Sequence, residues 1–248
     1  MSVRTRNVAL CVILLFARSV IADSGTPGVE SRADTLLRNM SDYLKTASEF
    51  SFRVEVDYDQ VLDSGQKILY GRRSEVALRR PDGLHVLING DLINERMWYD
   101  GKTFVLLDLT NQEYGKISVP SNIDDALDFL ARKYGISSPV ADVLYSDPYK
   151  ILTEKLTTGI YVGNSTVRGI PTHHLAFTQD NIDWQLWIED GARPVPRKAL
   201  ITYKNVTSSP QITMWLSNWN FAPRLADSLF EFLPPENAKQ VEIKPLAQ

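Results

Sequence analysis

The sequence predicts an α+β fold: a curved antiparallel sheet of about 10–11 strands, forming an incomplete β-barrel with helices covering its concave side. Three observations carry this reading. Residues 50–119 and 160–219 alternate apolar and polar side chains with period two, the pattern of half-buried strands. Short turn signals rich in Gly, Asn, Asp and Pro separate these runs. Between them, residues 122–156 switch to helical periodicity. A sheet with one apolar face must close on itself or be covered, and the helices are the available cover.

In chain order, residues 23–29 (DSGTPGV) read as a polar linker. A helix follows over 30–47, where Ala33, Leu36, Leu37, Met40, Tyr43 and Leu44 recur every three or four positions. In the first strand Phe52, Val54, Val56 and Tyr58 alternate with Arg53, Glu55 and Asp57. Gly65 turns into a second strand, which starts at Ile68 and Tyr70 and runs through Val76 and Leu78 to Pro81-Asp82-Gly83. Leu84, Val86 and Ile88 form a third, ended by Asn89-Gly90-Asp91. Met97-Trp98-Tyr99 and Phe104-Val105-Leu106-Leu107 flank Asp100-Gly101, a strong hairpin signal. Asn111-Gln112 leads into Tyr114–Val119, completing a meander of about six strands.

In the helical block, Ile123, Ala126, Leu127, Leu130 and Tyr134 make one stripe, capped by Ser121 or Asn122 and stopped by Gly135. Pro139 opens a second short helix carrying Val140, Val143 and Leu144, and Asp147-Pro148 a third. Turns at Gly163-Asn164, Asp180-Asn181, Asp190-Gly191 and Ser208-Ser209-Pro210 divide the remaining strands. Val241–Ile243 reads as a last edge strand.

Residues 1–22 read as a secretory signal peptide. Arg4 and Arg6 precede an apolar run from Val8 to Ala17, and Val20 and Ala22 occupy the small-residue positions of a cleavage site, so the cut is expected after Ala22. The run is too short to span a hydrocarbon core of ~30 Å. Cys11, the only cysteine, lies inside this segment. The chain after the cut is therefore cysteine-free, which excludes disulfides, thiolate metal sites and a cysteine nucleophile. The cut removes Arg4, Arg6 and Arg18 and no acid, so the net charge moves from −3 to −6. An acidic surface argues against nucleic acid as a partner. No later segment carries the apolar length of a transmembrane helix.

Several motifs resemble a known family. Tyr99-Asp100-Gly101-Lys102-Thr103-Phe104 and Ile123-Asp124-Asp125-Ala126-Leu127-Asp128 are similar to its segments. So are His173-His174-Leu175-Ala176-Phe177, Asp183-Trp184-Gln185-Leu186-Trp187-Ile188, Pro194-Val195-Pro196-Arg197-Lys198, Trp219-Asn220 and the run from Phe230 to Ala238. The chain from about 30 to 243 resembles the predicted periplasmic protein family called domain of unknown function 2092. That family often has a cysteine before the histidine pair; Thr172 stands there in this chain. The family looks related to periplasmic lipoprotein carriers and outer-membrane lipoprotein receptors. The resemblance therefore implies a periplasmic location and an incomplete antiparallel barrel, lidded by helices, around an apolar space.

Candidate chemistry is sparse. His173 and His174 are adjacent on a strand and point to opposite faces, and His85 is the only other histidine, so a metal site is not expected. Asp183 and Glu189 share a face but lie roughly 20 Å apart by strand rise, too far for a glycosidase acid pair. No Walker, G-x-S-x-G or G-x-G-x-x-G motif is present. Trp187, Trp215 and Trp219 are expected on the polar faces of their strands.

The reading is a single lipoprotein-carrier-like domain over 30–248, a periplasmic non-enzyme, monomeric and without cofactor. It is expected to bind, and to carry, an apolar or acylated ligand, a lipoprotein among the candidates. The expected cavity and lid residues are Phe52, Val54, Val56, Met97, Phe104, Ile123, Ala126, Leu127, Leu130, Trp184, Leu186 and Met214. Two alternatives stand beside it. One is a cell-envelope interaction module with a filled core and an exposed Trp187/Trp215 face. The other is a hydrolase with an unrecognised site.

Overall fold

The computed structural model describes residues 25–246. The expected signal peptide and its cut after Ala22 lie outside the described residues. The strands are β1 (Glu49–Val61), β2 (Lys67–Arg79), β3 (Gly83–Gly90), β4 (Asn94–Tyr99), β5 (Thr103–Asp108) and β6 (Glu113–Ser118). They continue as β7 (Thr158–Val167), β8 (Ile170–Thr178), β9 (Ile182–Glu189), β10 (Pro196–Tyr203), β11 (Gln211–Asn220) and β12 (Lys239–Gln240). All belong to one 12-stranded sheet in the order β12-β6-β5-β4-β3-β2-β1-β11-β10-β9-β8-β7. Two antiparallel meanders, β1–β6 and β7–β11, thus join at a single seam. There Val54 faces Leu216 and Val56 faces Met214. Because β7 and β12 are edges that do not meet, the curved sheet remains an unclosed barrel.

The helices fill the hollow. In α1 (Ser31–Lys45) the side chains of Ala33, Leu37, Met40 and Leu44 fall on one stripe and are fully buried. In α2 (Ile123–Tyr134) Ile123, Ala126 and Leu130 are buried. The Asn122 side chain caps α2 by accepting from the Asp125 amide at 2.9 Å, and Gly135 closes it in the left-handed conformation at φ 69°. A 3-10 helix (Pro139–Val143) and α3 (Pro148–Thr153) follow, the latter capped by Asp147. These helices share one core with Phe50, Val54, Val76, Leu78, Leu175 and Ile188 of the sheet. Among the described residues no helix is long and apolar enough to cross a membrane.

The entry to α1 is fixed by the β7 edge. The Glu30 amide donates to the Gly159 carbonyl at 2.8 Å, and the Gly159 amide to the Gly28 carbonyl at 3.1 Å. Gly28 sits at φ 79°, and a Cβ there would lie 2.4 Å from the Thr157 carbonyl oxygen. Only glycine fits this approach.

Four sequence expectations need correction. Gly163-Asn164 is not a turn: both residues lie within β7, where Gly163 forms an irregularity, and the chain reverses at Arg168-Gly169 with positive φ. The last edge strand is Lys239–Gln240 rather than Val241–Ile243, and it runs parallel to β6. Trp219 faces the core, not the polar side. β11 carries an extra residue opposite β1 between Ser217 and Asn220, with Asn218 at φ 55°, and this bulge inverts the alternation. Trp187 is not exposed. It is 8% accessible, stacked on His174 with centroids 4.1 Å apart and covered by the Lys198 ammonium at 4.4 Å.

Leu37 is fully buried between α1 and the sheet. Leu37→Ala is expected to cost about 2–5 kcal/mol through lost burial and the residual void, read as a lower urea midpoint with an unchanged slope.

Candidate functional site

The space under the helices is not completely filled. A cavity of about 230 Å³ lies between α2 and strands β1–β5. Its walls include Val54 and Val56 of β1, Val76 of β2, Val86 and Ile88 of β3, Met97 and Tyr99 of β4 and Phe104 of β5. Its cover is Ile123, Ala126, Leu127 and Leu130 of α2, with Val140 and Leu144 closing from the next segment. Polar side chains sit together at the end formed by Arg72, Ser74 and Glu95. Burial, and then the nearby Asp108, pushes the Glu95 carboxyl above its ordinary range, while Arg72 opposes them. At the far end the Tyr99 hydroxyl donates to the Pro120 carbonyl at 2.9 Å, and burial holds that phenol up at about 12.

A second cavity, about 90 Å³, lies on the other side of the 3-10 helix. Met40 of α1, Leu152 of α3, Trp184 and Leu186 of β9, Ala199 and Ile201 of β10 and Met214 and Leu216 of β11 line it, together with Val143 and Asp142. Val140 contributes to both cavities, so the 3-10 helix is the partition between them.

The helical cover is latched by one side chain. Arg80 directly follows β2 and reaches under the helices: Nη1 donates to the Leu44 and Ala47 carbonyls at 3.2 and 2.8 Å, and Nη2 to the Leu144 and Tyr145 carbonyls at 3.3 and 2.8 Å. Its guanidinium also lies 5.2 Å from the Phe50 ring centroid. Burial lowers the Arg80 pKa, and Asp124 partly offsets this. The adjacent Pro81 carbonyl accepts from the first amide of α2, Ile123, at 2.9 Å. Asp124 accepts from the Ser146 amide at 2.9 Å, and Asp128 from the Tyr145 hydroxyl at 2.9 Å. Thus α2 and the segment after it are bonded to each other, and both are bonded to the β2–β3 turn. A second knot ties α3 to α1: the Tyr149 hydroxyl donates to Asp34, Arg38 donates to Tyr149 at 2.7 Å, and Thr26 lies 2.8 Å from the same hydroxyl.

The sequence-predicted residues divide between the two spaces. Val54, Val56, Met97, Phe104, Ile123, Ala126, Leu127 and Leu130 line the first cavity. Trp184, Leu186 and Met214 line the second. Phe52 lines neither, because its ring stacks on Trp219 at 4.4 Å within the solid part of the core. Two residues of the site have no precedent in the sequence reading. Arg80 stands at a strand end next to a turn signal, where a charge is ordinary. Asp142 is one acid inside the otherwise apolar Val140–Leu144, and that was the available signal.

The polar candidates remain apart. His174 is 2.9 Å from Gln185, and His173 is 3.2 Å from Asp190. Asp183 pairs with Lys204 and Glu189 with Arg197. Among the described residues no three His, Cys, Asp or Glu side chains converge on a metal position.

With this geometry in view, comparison with known proteins places the chain in a family. The sequence model of the family described as predicted periplasmic protein, DUF2092, matches residues 33–244, and the chain belongs to that family. The fold is similar to that of an uncharacterised conserved protein from Thermus thermophilus. That pair has a TM-score of 0.51 and 10% identity, covering 85% of this chain and 99% of the other. LprF from Mycobacterium bovis aligns with a TM-score of 0.47 at 14% identity, covering 85% of this chain and 99% of that one. A LolA superfamily protein from Nitrosomonas europaea aligns with a TM-score of 0.37 at 12% identity, covering 81% of this chain and 97% of that one. No curated protein sequence matches.

Burial pushes the Asp142 carboxyl up to about 6 from the ordinary 3.8. An acid raised in the folded state gives a stability contribution that is present below pH 4 and lost as pH rises through about 6. Asp142→Asn is therefore expected to raise the melting temperature at pH 8 by several degrees, equivalent to at most about 3 kcal/mol. The gain should vanish at pH 4, and thermal melts of both proteins across this range test it.

Proposed function

We propose that this protein is a non-catalytic periplasmic binder, and carrier, of an apolar or acylated ligand. In this reading residues 1–22 are removed on export by a cut after Ala22, and residues 30–248 act as one domain. The observation that carries it is the apolar cavity of about 230 Å³ roofed by α2. Sites for small molecules usually run to ~300–1,000 Å³, so the cavity as it stands suits the closed, unloaded state. A long acyl chain enters by displacing the roof. The stripe Ile123, Ala126, Leu127 and Leu130 covers the strand side chains in the closed state and gives way to the chain in the open one.

The energetics allow this exchange. Twelve methylenes buried at ~0.8 kcal/mol each release about 10 kcal/mol, which is offset by ordering of the ligand and separation of the lid. Arg80 sets the cost of opening, since the helical segment cannot lift without breaking its bonds to the Leu144 and Tyr145 carbonyls. The family's periplasmic description agrees with a ligand that must cross water between two membranes.

A second reading is favoured by one observation. Ile160 and Val162 on the edge strand β7 are 54% and 51% accessible, an apolar strip on a sheet edge that the chain itself covers only in part, where Gly28 and Glu30 bond to Gly159 and Tyr161. A partner strand added there would make the protein an interaction module.

The direct test is native mass spectrometry, with organic extraction, of protein prepared from the periplasm without detergent. A near-stoichiometric lipid or acylated species is the expected result. A bare mass that is unchanged after incubation with phospholipid and lipopeptide overturns the binder reading in favour of the interaction module. Leu127→Glu, which places a charge in the roof of the first cavity, is expected to weaken uptake of an acyl probe at least tenfold while the circular dichroism spectrum is retained. Arg80→Ala is expected to speed amide hydrogen exchange across residues 138–147 before it affects the β1–β11 seam.

A further inference from the structure

The second cavity differs from the first in one respect. Its walls are apolar except for Asp142 and two glutamines, Gln179 and Gln185, and Asp142 is the only charged side chain among them. Several other buried or half-buried acids of the molecule have donors, and Glu95 of the first cavity, which has none, has the Arg72 charge to oppose its burial. Asp34 receives Tyr149, Asp124 receives Ser146, Asp128 receives Tyr145 and Glu189 receives Arg197. Asp142 has no hydrogen bond and no ion pair with any described residue. The phenols of Tyr145 and Tyr203 lie close enough to feel its charge, and neither bonds to it. A second polar group in the same wall is also unanswered: the indole N–H of Trp184, a residue 7% accessible, has no acceptor. A half-buried carboxylate against apolar walls is costly, and among the described residues no cation pairs with it.

We propose that the second cavity is the seat of a ligand's ammonium group, with Asp142 as its counter-ion. The inference rests on the binder reading and narrows it: the ligand is an amphiphile carrying a primary or substituted amine. The volumes support a division of labour. About 90 Å³ accommodates a group of roughly three water-sized units, which fits an ammonium with its substituents but not a long chain. The larger first cavity takes apolar length. The 3-10 helix between them lets one ligand present its chain to one side and its charge to the other, through Val140. The Trp184 N–H then offers a donor to a carbonyl or hydroxyl oxygen next to the amine.

The test compares binding of dodecylammonium, dodecanol and dodecanoate to the complete secreted chain at pH 8, followed by tryptophan fluorescence and calorimetry. The proposal expects dodecylammonium to bind at least tenfold tighter than dodecanol, and dodecanoate most weakly. In Asp142→Asn the preference for the ammonium over the alcohol should fall to less than twofold, while dodecanol binding is kept. Asp142→Glu, which retains the charge, should keep part of the preference.

Equal binding of all three probes, unchanged in Asp142→Asn, overturns the ammonium site and leaves the lipid-binding reading standing. Absence of binding by any probe overturns both. Two further ligands separate the sources of such an amine: a lysophospholipid with an ethanolamine headgroup and an acylated peptide with a free lysine. An Asp142-dependent gain for either one supports the site and names its source. A gain for neither, beside a dodecylammonium preference that survives Asp142→Asn, counts against it.

Discussion

The arrangement of helices over the sheet depends on Arg80. A guanidinium withdrawn from water needs acceptors for its fixed donors. Here they are backbone carbonyls from two different helical segments, the end of α1 and the residues after the 3-10 helix. Carbonyls at helix ends commonly lack an intrahelical donor; here the Leu44 carbonyl also accepts from the Ala47 amide at 3.4 Å. One side chain directly after β2 thereby satisfies the termini of two elements and sets the distance between each of them and the sheet. Pro81, the next residue, accepts the first amide of α2. Three helical segments are registered on one turn of the chain, and the cavities are the space that this registration leaves over.

The polar groups of the hollow fall into two kinds. Those that hold the lid are paired within the protein: Arg80 with carbonyls, Asp124 with Ser146, Asp128 with Tyr145, Asp34 with Tyr149. Asp142 is not paired, although it lies on the partition between the two cavities. Burial without a partner raises its pKa, whereas at Asp34 burial, the largest single effect, is outweighed by the hydrogen bonds and the Arg38 charge together, which hold it below its ordinary range. The contrast separates groups that stabilise the closed form from one that weakens it. An element that is firmly latched at one end and carries an uncompensated charge at its middle is well placed to change position when a ligand arrives.

Much of the fold is legible in the sequence because it rests on local rules. The alternation of Phe52, Val54 and Val56 locates β1 and its buried face, Asp100-Gly101 locates the β4–β5 hairpin, and Asn122 and Gly135 bound α2. Sequence and structure part where a single residue breaks the period. Gly163 has the look of a turn because glycine and asparagine usually make one, yet it serves as a bulge in a continuing strand. Trp219 falls on the opposite face from the one its spacing predicts, because an inserted residue at Asn218 cannot be seen in an alternation pattern that ends two residues later. Trp187 is on the expected face, but His174 and Lys198, distant in sequence, cover it.

The sequence by itself determined the order of strands and helices, the apolar stripe of each, the cysteine-free character of the chain after Ala22 and most of the residues that face the hollow. Each of these follows from periodicity, composition or capping, which act over a few residues. Only the tertiary structure decided that the hollow is two cavities rather than one, that Phe52 belongs to solid core, that Arg80 latches the lid and that Asp142 stands without a partner. Those facts depend on which side chains meet across the β1–β11 seam and beneath the helices. Such meetings are set by sheet curvature and long-range packing, which no local pattern records.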